Sequence, residues 1–245
     1  MEKLITLIIM VLFINGNPNS NIDKSSALEG AWEMKMPDGG PEGMRVVMTI
    51  QSPYVFVTTF DVENKKFYNA QGGSIEILGN TAFYTVEFNT IDAQDIGTKY
   101  EITTEIKGNQ LMSTIDINSQ PQTVTYTRID SGNSDLAGSW RITDRMRDGE
   151  MQAMRLGARK TIKMITGTRF QWAAFNPETK QFSGTGGGTI TLENGKYTEH
   201  IEFFSRNPDR VGAKLTFDYK VNGDKWEHSG LSSSGNPIME IWTRQ

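Results

Sequence analysis

The chain has 245 residues, a net charge of −4, 37% apolar residues and 22% charged residues, which is typical of a globular protein with one large or two small domains. It contains no cysteine, which excludes disulfides, thiolate metal ligands and a cysteine nucleophile. No run of basic residues is long enough to follow a phosphate backbone, so we expect no nucleic-acid partner.

Residues 1–25 have the pattern of a secretory signal peptide. Lys3 precedes an apolar run over 4–14, which the polar sequence NGNPNS ends. A run of about a dozen residues is too short to span a bilayer. We therefore expect a secreted or periplasmic protein, cleaved between about positions 16 and 26, with no stable membrane insertion once the leader is removed. An uncleaved membrane anchor is the alternative.

The rest of the chain repeats one pattern twice. LEGAW begins at Leu28 and LAGSW begins at Leu136, so that Trp32 aligns with Trp140. Further along, Phe56 is aligned with Phe170. The offset then settles at 115, with Gly72-Gly73 on Gly187-Gly188, Val86 to Phe88 on Ile201 to Phe203, and Gly97 on Gly212.

The two copies also end alike, with VTYTR closing at Arg128 and EIWTR closing at Arg244. We therefore divide the mature chain into a first domain over 26–128, a short polar linker over 129–135 and a second domain over 136–245.

Within each copy the apolar residues alternate with a period of two, and turn sequences such as ENGK recur every 8–12 residues. This pattern predicts an all-β chain. In the second copy it predicts eight strands, near 136–142, 159–166, 169–175, 181–192, 197–204, 213–221, 225–231 and 237–243. Eight antiparallel strands in up-and-down order predict a closed barrel, which leaves no exposed sheet edge. The fold prediction is two such barrels in tandem.

Each copy has a Gly-x-Trp on its first predicted strand and an arginine at the end of its last: Gly30, Trp32 and Arg128, then Gly138, Trp140 and Arg244. This combination resembles the lipocalin (calycin) superfamily. The second copy is similar to small secreted bacterial lipocalin-like proteins of unassigned function. The resemblance implies that the tryptophan closes the barrel floor and that the arginine packs over its ring as a cation–π plug.

The second copy is the better candidate for a polar site, because it has YTEH at 197–200 where the first has AFYT at 82–85, and because it contains both histidines of the chain. In YTEHIEFF, alternation places Tyr197, Glu199, Ile201 and Phe203 on one face, and we take that face as the interior. Glu199 would then be a carboxylate in an aromatic-lined cavity, where burial raises a carboxyl pKa.

Two further side chains are predicted to face Glu199. His228 shares a face with Trp226, and Glu240 shares a face with Arg244. Glu199, His228 and Glu240 would form a polar trio. Three interpretations stay open: Glu199 pairs with a nearby lysine or arginine and has only a structural role, the trio orients a ligand, or the trio is catalytic with Glu199 as base and His228 as partner acid.

Other motifs give no cofactor or metal site. The glycines of 184–190 lack the lysine and helix of a phosphate loop, so they predict barrel curvature or a bulge. Neither histidine lies in a metal-binding motif, and we predict no metal. The insertion 145–160, which contains several methionines and arginines, is expected to be a loop, either a mobile lid over the barrel or simply solvated.

The leading functional expectation is that the second barrel binds a small, partly apolar molecule, while the first is filled by its own side chains. No cofactor is predicted, and the sequence does not indicate an oligomeric state. The alternatives are a small-metabolite or sugar isomerase, lyase or hydrolase, and a structural or protein-interaction module without a ligand. The expected ligand contacts are Phe170, Trp172, Tyr197, Glu199, Phe217, Tyr219, Trp226, His228 and Glu240.

Overall fold

The structure is a computed structural model that describes residues 24–36, 40–117, 119–232 and 234–245. The predicted signal peptide, 1–25, lies outside the described residues except for its last two positions. Within the described ranges, no helix has the length and apolar character needed to cross a membrane.

The first repeat forms a closed antiparallel barrel of eight strands. A one-turn helix, α1 (Lys24–Leu28), precedes strands β1 (Gly30–Met34), β2 (Met44–Gln51), β3 (Tyr54–Asp61), β4 (Lys66–Leu78), β5 (Thr81–Asn89), β6 (Lys99–Lys107), β7 (Gln110–Ile117) and β8 (Gln120–Asp130). Each strand pairs with the next, and β1 pairs with β8 to close the sheet. β8 runs two residues into the predicted linker.

The second repeat forms the same barrel with one additional strand. Its strands are β9 (Gly138–Arg147), β10 (Glu150–Ala153), β11 (Lys160–Ile165), β12 (Arg169–Asn176), β13 (Gln181–Glu193), β14 (Lys196–Phe204), β15 (Lys214–Asn222), β16 (Lys225–Leu231) and β17 (Pro237–Arg244). β9 pairs with both β11 and β17, so that all of these strands except β10 form a closed eight-stranded barrel. The predicted fold class, two tandem eight-stranded antiparallel barrels, is confirmed.

The sequence led us to expect a loop over 145–160. The structure instead has a β-hairpin in the first part of this insertion. β9 continues to Arg147 and pairs with β10 as a hairpin. Asp148 and Gly149 connect the two strands with φ of +51° and +84°. Positive φ at both central residues is the conformation that a two-residue hairpin turn requires, and an Asp-Gly pair adopts it readily.

The repeated opening motif builds one end of each barrel. The indole N–H of Trp32 donates to the backbone oxygen of Leu28 at 2.9 Å, and Trp140 donates to Leu136 at 2.9 Å. The guanidinium of Arg128 lies 3.9 Å from the centre of the Trp32 ring, and that of Arg244 lies 4.2 Å from Trp140. The leucine, tryptophan and terminal arginine of each repeat therefore form one plug.

The glycine of the motif is required by the backbone. Gly30 has φ +120° and Gly138 has φ +147°, which side chains of L-residues rarely adopt. A Cβ at Gly30 would also overlap the backbone oxygen of Asp130. Glycine is thus required at the start of the motif by its positive φ, and a side chain there would meet the last strand or the terminal arginine of the same barrel.

The two barrels pack together through phenylalanines that face outward. Phe203 of the second barrel lies 4.8 Å from Phe60 and 6.5 Å from Phe67, measured between ring centres. Phe88 of the first barrel makes the matching contacts, 4.9 Å to Phe175 and 5.7 Å to Phe182. In each matched pair the two residues are 115 positions apart. Each contact made by a residue of one barrel is therefore repeated by its counterpart in the other, which is the property of an interface with two-fold symmetry.

Ion pairs repeat the same symmetry. Lys160 lies 2.6 Å from Glu87, and its counterpart Arg45 lies 3.5 Å from Glu202. The linker is also fixed, because the carboxylate of Asp130 accepts hydrogen bonds from the backbone of Ala31 in one barrel and from Thr168 in the other, at 3.1 and 3.0 Å.

Two predictions about strand faces were wrong by one residue. Gly72 pairs with Phe56, whereas its counterpart Gly187 pairs with Gln171, so Gln171 and not Phe170 corresponds to Phe56. Phe203 was expected inside the second barrel. A β-bulge places Glu202 opposite no partner, because Gly187 pairs with Phe203 and the next residue pairs with Ile201. The extra residue reverses the alternation, and Phe203 faces the other barrel.

Candidate functional site

A buried lysine occupies the interior of the second barrel. Lys163, on β11, lies directly across from Trp140 on β9. Its ammonium is 2.8 Å from Oε1 of Glu199, and the two side chains are only 6% and 5% exposed. The same ammonium lies 5.2–5.9 Å from the ring centres of Trp242, Trp226, Tyr197 and Phe170. These rings attract a cation and exclude water from it.

Glu199 faces inward, as the alternation predicted, but it does not stand alone in an apolar cavity. The hydroxyl of Tyr197 donates to Glu199 Oε1 at 2.9 Å, beside the ammonium of Lys163. The carboxylate is therefore the acceptor of a hydrogen-bonded ion pair. This is the structural alternative left open by the sequence, and it argues against Glu199 as a free base.

A second polar group lies on β16, β17 and β9. Nε1 of Trp242 donates to Glu240 Oε2 at 3.0 Å, and Arg145 donates to Glu240 Oε1 at 2.5 Å. Nδ1 of His228 is 3.5 Å from Glu240 Oε2, which is an ion-pair distance without hydrogen-bond geometry. His228 also packs against the ring of Phe217, 4.2 Å between centres.

These surroundings shift the pKa of both titratable groups. Burial lowers the pKa of His228, and the positive charge of Lys163 lowers it further, against the carboxylates of Glu240 and Glu199. Burial opposes ionisation of Glu240, but His228 and Arg145 outweigh it and lower its pKa to about 2. At neutral pH the interior thus holds a neutral imidazole beside an ionised carboxylate.

Several polar atoms of this interior lack a partner. Nε2 of His228 and the indole N–H of Trp226 are buried and make no hydrogen bond to any described residue, while Nδ1 of His228 has only the long, 3.5 Å contact with Glu240. Buried polar groups without partners are costly and uncommon in folded proteins. These atoms can bond to water or to a bound molecule.

All nine predicted ligand contacts belong to the interior of the second barrel. Trp172 and Tyr219 are half-buried, and the other seven are buried: Phe170, Tyr197, Glu199, Phe217, Trp226, His228 and Glu240. Three further residues were missed, namely Lys163, Arg145 and Trp242. A strand-by-strand alignment of the two repeats would have found Lys163, because the lysine stands where the first repeat has the apolar residue Met48.

A row of paired residues runs across four strands of this barrel, from a half-buried tyrosine to an exposed arginine. Tyr219, His228, Glu240 and Arg145 lie in one row across β15, β16, β17 and β9. The row passes from half-buried Tyr219 through two buried polar side chains to Arg145, whose side chain is 44% exposed. No group of three or more His, Asp or Glu side chains in the described ranges is arranged to hold a metal ion.

The first barrel carries uncharged residues at the equivalent positions. Strand pairing places Met48 where the second barrel has Lys163, and Tyr84, Ser113 and Val124 where it has Glu199, His228 and Glu240. Contrary to expectation, the first barrel is not completely filled, and it contains an apolar cavity of about 30 Å³.

Comparisons with known proteins do not assign the chain to a family. No protein-family model matches the chain, and no curated protein matches it. Among solved structures, an uncharacterized protein of Saccharomyces cerevisiae, YLR301w, is 9% identical and has a TM-score of 0.47, with 86% of this chain and 96% of that chain covered. The tandem closed barrels are consistent with a lipocalin-like fold.

Proposed function

We propose that this protein is an exported, lipocalin-like binding protein and that the second barrel holds a small, partly apolar molecule. The observation that carries the proposal is the row of Tyr219, His228 and Glu240, in which the buried imidazole of His228, without a good hydrogen bond, is paired with the half-buried Tyr219 on the next strand. The signal-peptide pattern predicted over residues 1–25 supports export.

The first barrel supplies an internal comparison. Its eight strands close without any of the charges found in the second, since Met48 stands at the position of Lys163 and Ser113 at that of His228. Replacing a buried ion pair by apolar residues is often neutral or stabilising. The barrel fold therefore does not require the charged interior, which favours a role in binding.

The ligand would contact apolar and polar surface together. Trp172 and Tyr219 supply aromatic surface, while His228 accepts or donates one hydrogen bond and Arg145 lies at the exposed end of the row. A ligand with an apolar body and at least one polar atom fits these groups.

The test is native mass spectrometry of the full mature chain purified from its natural host. We expect an additional bound mass, and we expect Tyr219→Ala to lose it. Tyr100→Ala is the matched control, because Tyr100 is a half-buried aromatic residue of the first barrel. An unliganded protein, or equal loss in both variants, would contradict the proposal and favour a module without a ligand.

A second candidate is an acid–base enzyme acting on a small metabolite. It is favoured by His228, a buried imidazole whose Nε2 makes no hydrogen bond and whose Nδ1 lies 3.5 Å from a carboxylate. His228 would then exchange the proton with the substrate and Glu240 would orient it. Turnover that His228→Gln abolishes, while binding persists, would distinguish this activity from binding alone.

A further inference from the structure

The outer surface of the first barrel carries an exposed aromatic ring between two carboxylates. Phe83 of β5 pairs with Glu76 of β4 on one side and with Glu101 of β6 on the other. Directly paired residues of an antiparallel sheet share a face, with Cβ atoms about 5 Å apart. Phe83 is 40% exposed, and both glutamates are exposed. The three side chains therefore form an acidic and aromatic row on the outside of the barrel.

A second row of side chains lies beside the first on the same face. Ser74, Thr85 and Lys99 are paired in the same way, each two residues from a member of the first row. Two residues along a strand span about 7 Å. All six side chains line one open groove of about 650 Å³, a volume within the range of small-molecule sites. The groove thus has an anionic and aromatic side and a side with hydroxyls and a cation.

The charges of the groove are not neutralised by neighbouring side chains. Among the residues that the structure describes, neither Glu76 nor Glu101 forms an ion pair, and Lys99 forms none either. All three are exposed. Both signs of charge are therefore available to a molecule in the groove.

The equivalent surface of the second barrel lacks the acidic and aromatic row. At the offset of 115, its positions are occupied by three paired threonines, Thr191, Thr198 and Thr216. The hydroxyls of Thr198 and Thr216 lie 3.0 Å apart and bond to each other. Threonine is favourable at an exposed strand position. The barrel fold therefore does not require a ring between two carboxylates at this place, which favours a role in binding.

The chemistry of the two rows restricts the ligand. The face of an aromatic ring attracts a cation, and quaternary ammonium groups are the ligands that such sites recognise best. The described residues offer no group of three or more side chains arranged to hold a metal ion, so an organic cation fits the row better. Lys99, about 7 Å along the strand, repels a simple cation. A ligand that contacts both rows therefore carries an anionic group as well.

We propose that this groove binds a small zwitterion, with a quaternary ammonium group on the ring of Phe83 between Glu76 and Glu101, and with an anionic group at Lys99. Phosphocholine has this chemistry, since two carbons join its ammonium and phosphate groups. The groove is open to solvent, so we expect affinity in the millimolar range. The site lies on the outer face of β4, β5 and β6, and it is independent of the proposed site in the second barrel.

The test is a titration of the full mature chain with phosphocholine, followed by the backbone amide NMR signals of Phe83 and Thr85. We expect saturable shifts of these signals and none of Thr198 and His200, their counterparts in the second barrel. Choline, which lacks the anionic group, and inorganic phosphate, which lacks the cation, should each bind more weakly. No saturable shift with phosphocholine, or equal shifts in both barrels, would overturn the proposal.

Variants that introduce the residues of the second barrel test the first row. Phe83→Thr and the double variant Glu76→Thr/Glu101→Thr change only exposed side chains, so the fold is retained. Each should weaken phosphocholine binding about fivefold. Unchanged affinity in both variants would contradict the assigned contacts.

A separate variant tests the second row. Lys99→Met should weaken binding of phosphocholine but not of choline, because only phosphocholine has an anionic group for the lysine. Lys214→Met, at the equivalent position of the second barrel, is the matched control and should leave both affinities unchanged. An unchanged phosphocholine affinity in Lys99→Met would refute the role of that lysine and with it the zwitterion.

Sedimentation with phosphatidylcholine vesicles distinguishes the two sources of this headgroup. Sedimentation of the chain that Phe83→Thr abolishes would assign the groove to a lipid headgroup. Binding of soluble phosphocholine without sedimentation would assign it to a free zwitterion.

Discussion

Lys163 in the second barrel and Met48 in the first occupy the same position, each directly across from the tryptophan of its Gly-x-Trp motif. Only the second barrel has a charged residue at this position. The ammonium of Lys163 donates to Glu199, which also accepts a hydrogen bond from Tyr197. The two barrels therefore act as controls for each other, since one fold accommodates either an apolar or a charged interior.

The first prediction concerns this ion pair. Lys163→Met places the residue of the first barrel in the second but leaves Glu199 buried without its cation. We expect a loss of about 3–5 kcal/mol in the free energy of unfolding, because an unpaired buried charge is costly. Lys163→Met/Glu199→Gln should recover at least half of that loss. Urea unfolding at pH 7 measures both, and a cost under about 1 kcal/mol for the single variant would show that the pair is not desolvated.

The second prediction concerns pH. His228 has a lower pKa in the folded protein than the ordinary 6.5, so the unfolded chain binds its proton first as the pH falls. The stabilisation that depends on neutral His228 is present above about pH 6.5 and is lost below it. His228→Ser introduces the residue found at Ser113 and should flatten stability between pH 7 and pH 5. An unchanged slope in that variant would assign the pH dependence to other groups.

A lower pH range reports on Glu240. Its pKa of about 2, against an ordinary 4.5, gives stability that is present above pH 4.5 and lost as the pH falls toward 2. Arg145→Met removes one of the groups that lower this pKa. We expect the acid unfolding midpoint of that variant to rise, while Arg147→Met, an exposed neighbour on β9, should not change it.

The third prediction concerns the barrel interface. Phe203→Ala removes a ring that packs on Phe60 and Phe67, and we expect a loss of about 3–5 kcal/mol. Phe88→Ala should cost a similar amount, because Phe88 makes the symmetry-related contacts. Phe83, which is 40% exposed, is the control, and its change to alanine should cost under about 0.5 kcal/mol. Unequal losses for Phe203 and Phe88 would contradict the equivalence of the two faces.

The fourth prediction concerns the opening motif. Gly30→Ala combines an unfavourable φ of +120° with overlap on the Asp130 backbone, and should cost at least about 3 kcal/mol. Gly79→Ala is the comparison: its φ is +66°, and no atom lies within 4 Å of the added carbon, so only the strain of about 1–2 kcal/mol remains. Thermal unfolding measures both, and equal losses would show that crowding at β1 contributes nothing.

Sequence periodicity was sufficient for the architecture. Turn sequences bound the strands of the second repeat closely, as at Lys225–Leu231, which matches the predicted 225–231. The inward faces of β15 and β16 followed from alternation alone, because their pairing contains no bulge.

Prediction failed where one residue changes the register. Matching Phe56 to Phe170 by identity overlooked that Gln171 takes the outward position and donates to Thr58. The bulge at Glu202 leaves no mark in the apolar pattern, so Phe203 was placed inside. Lys163 was missed because a lysine among apolar residues reads as an exposed position until its partner, Glu199, is seen across the barrel.

The most direct test of the account is a crystal structure of the full mature chain purified from its natural host. We predict electron density for a non-protein molecule in the second barrel, in contact with Tyr219 and His228. An interior in which only side chains and water surround His228 would contradict the proposed binding function.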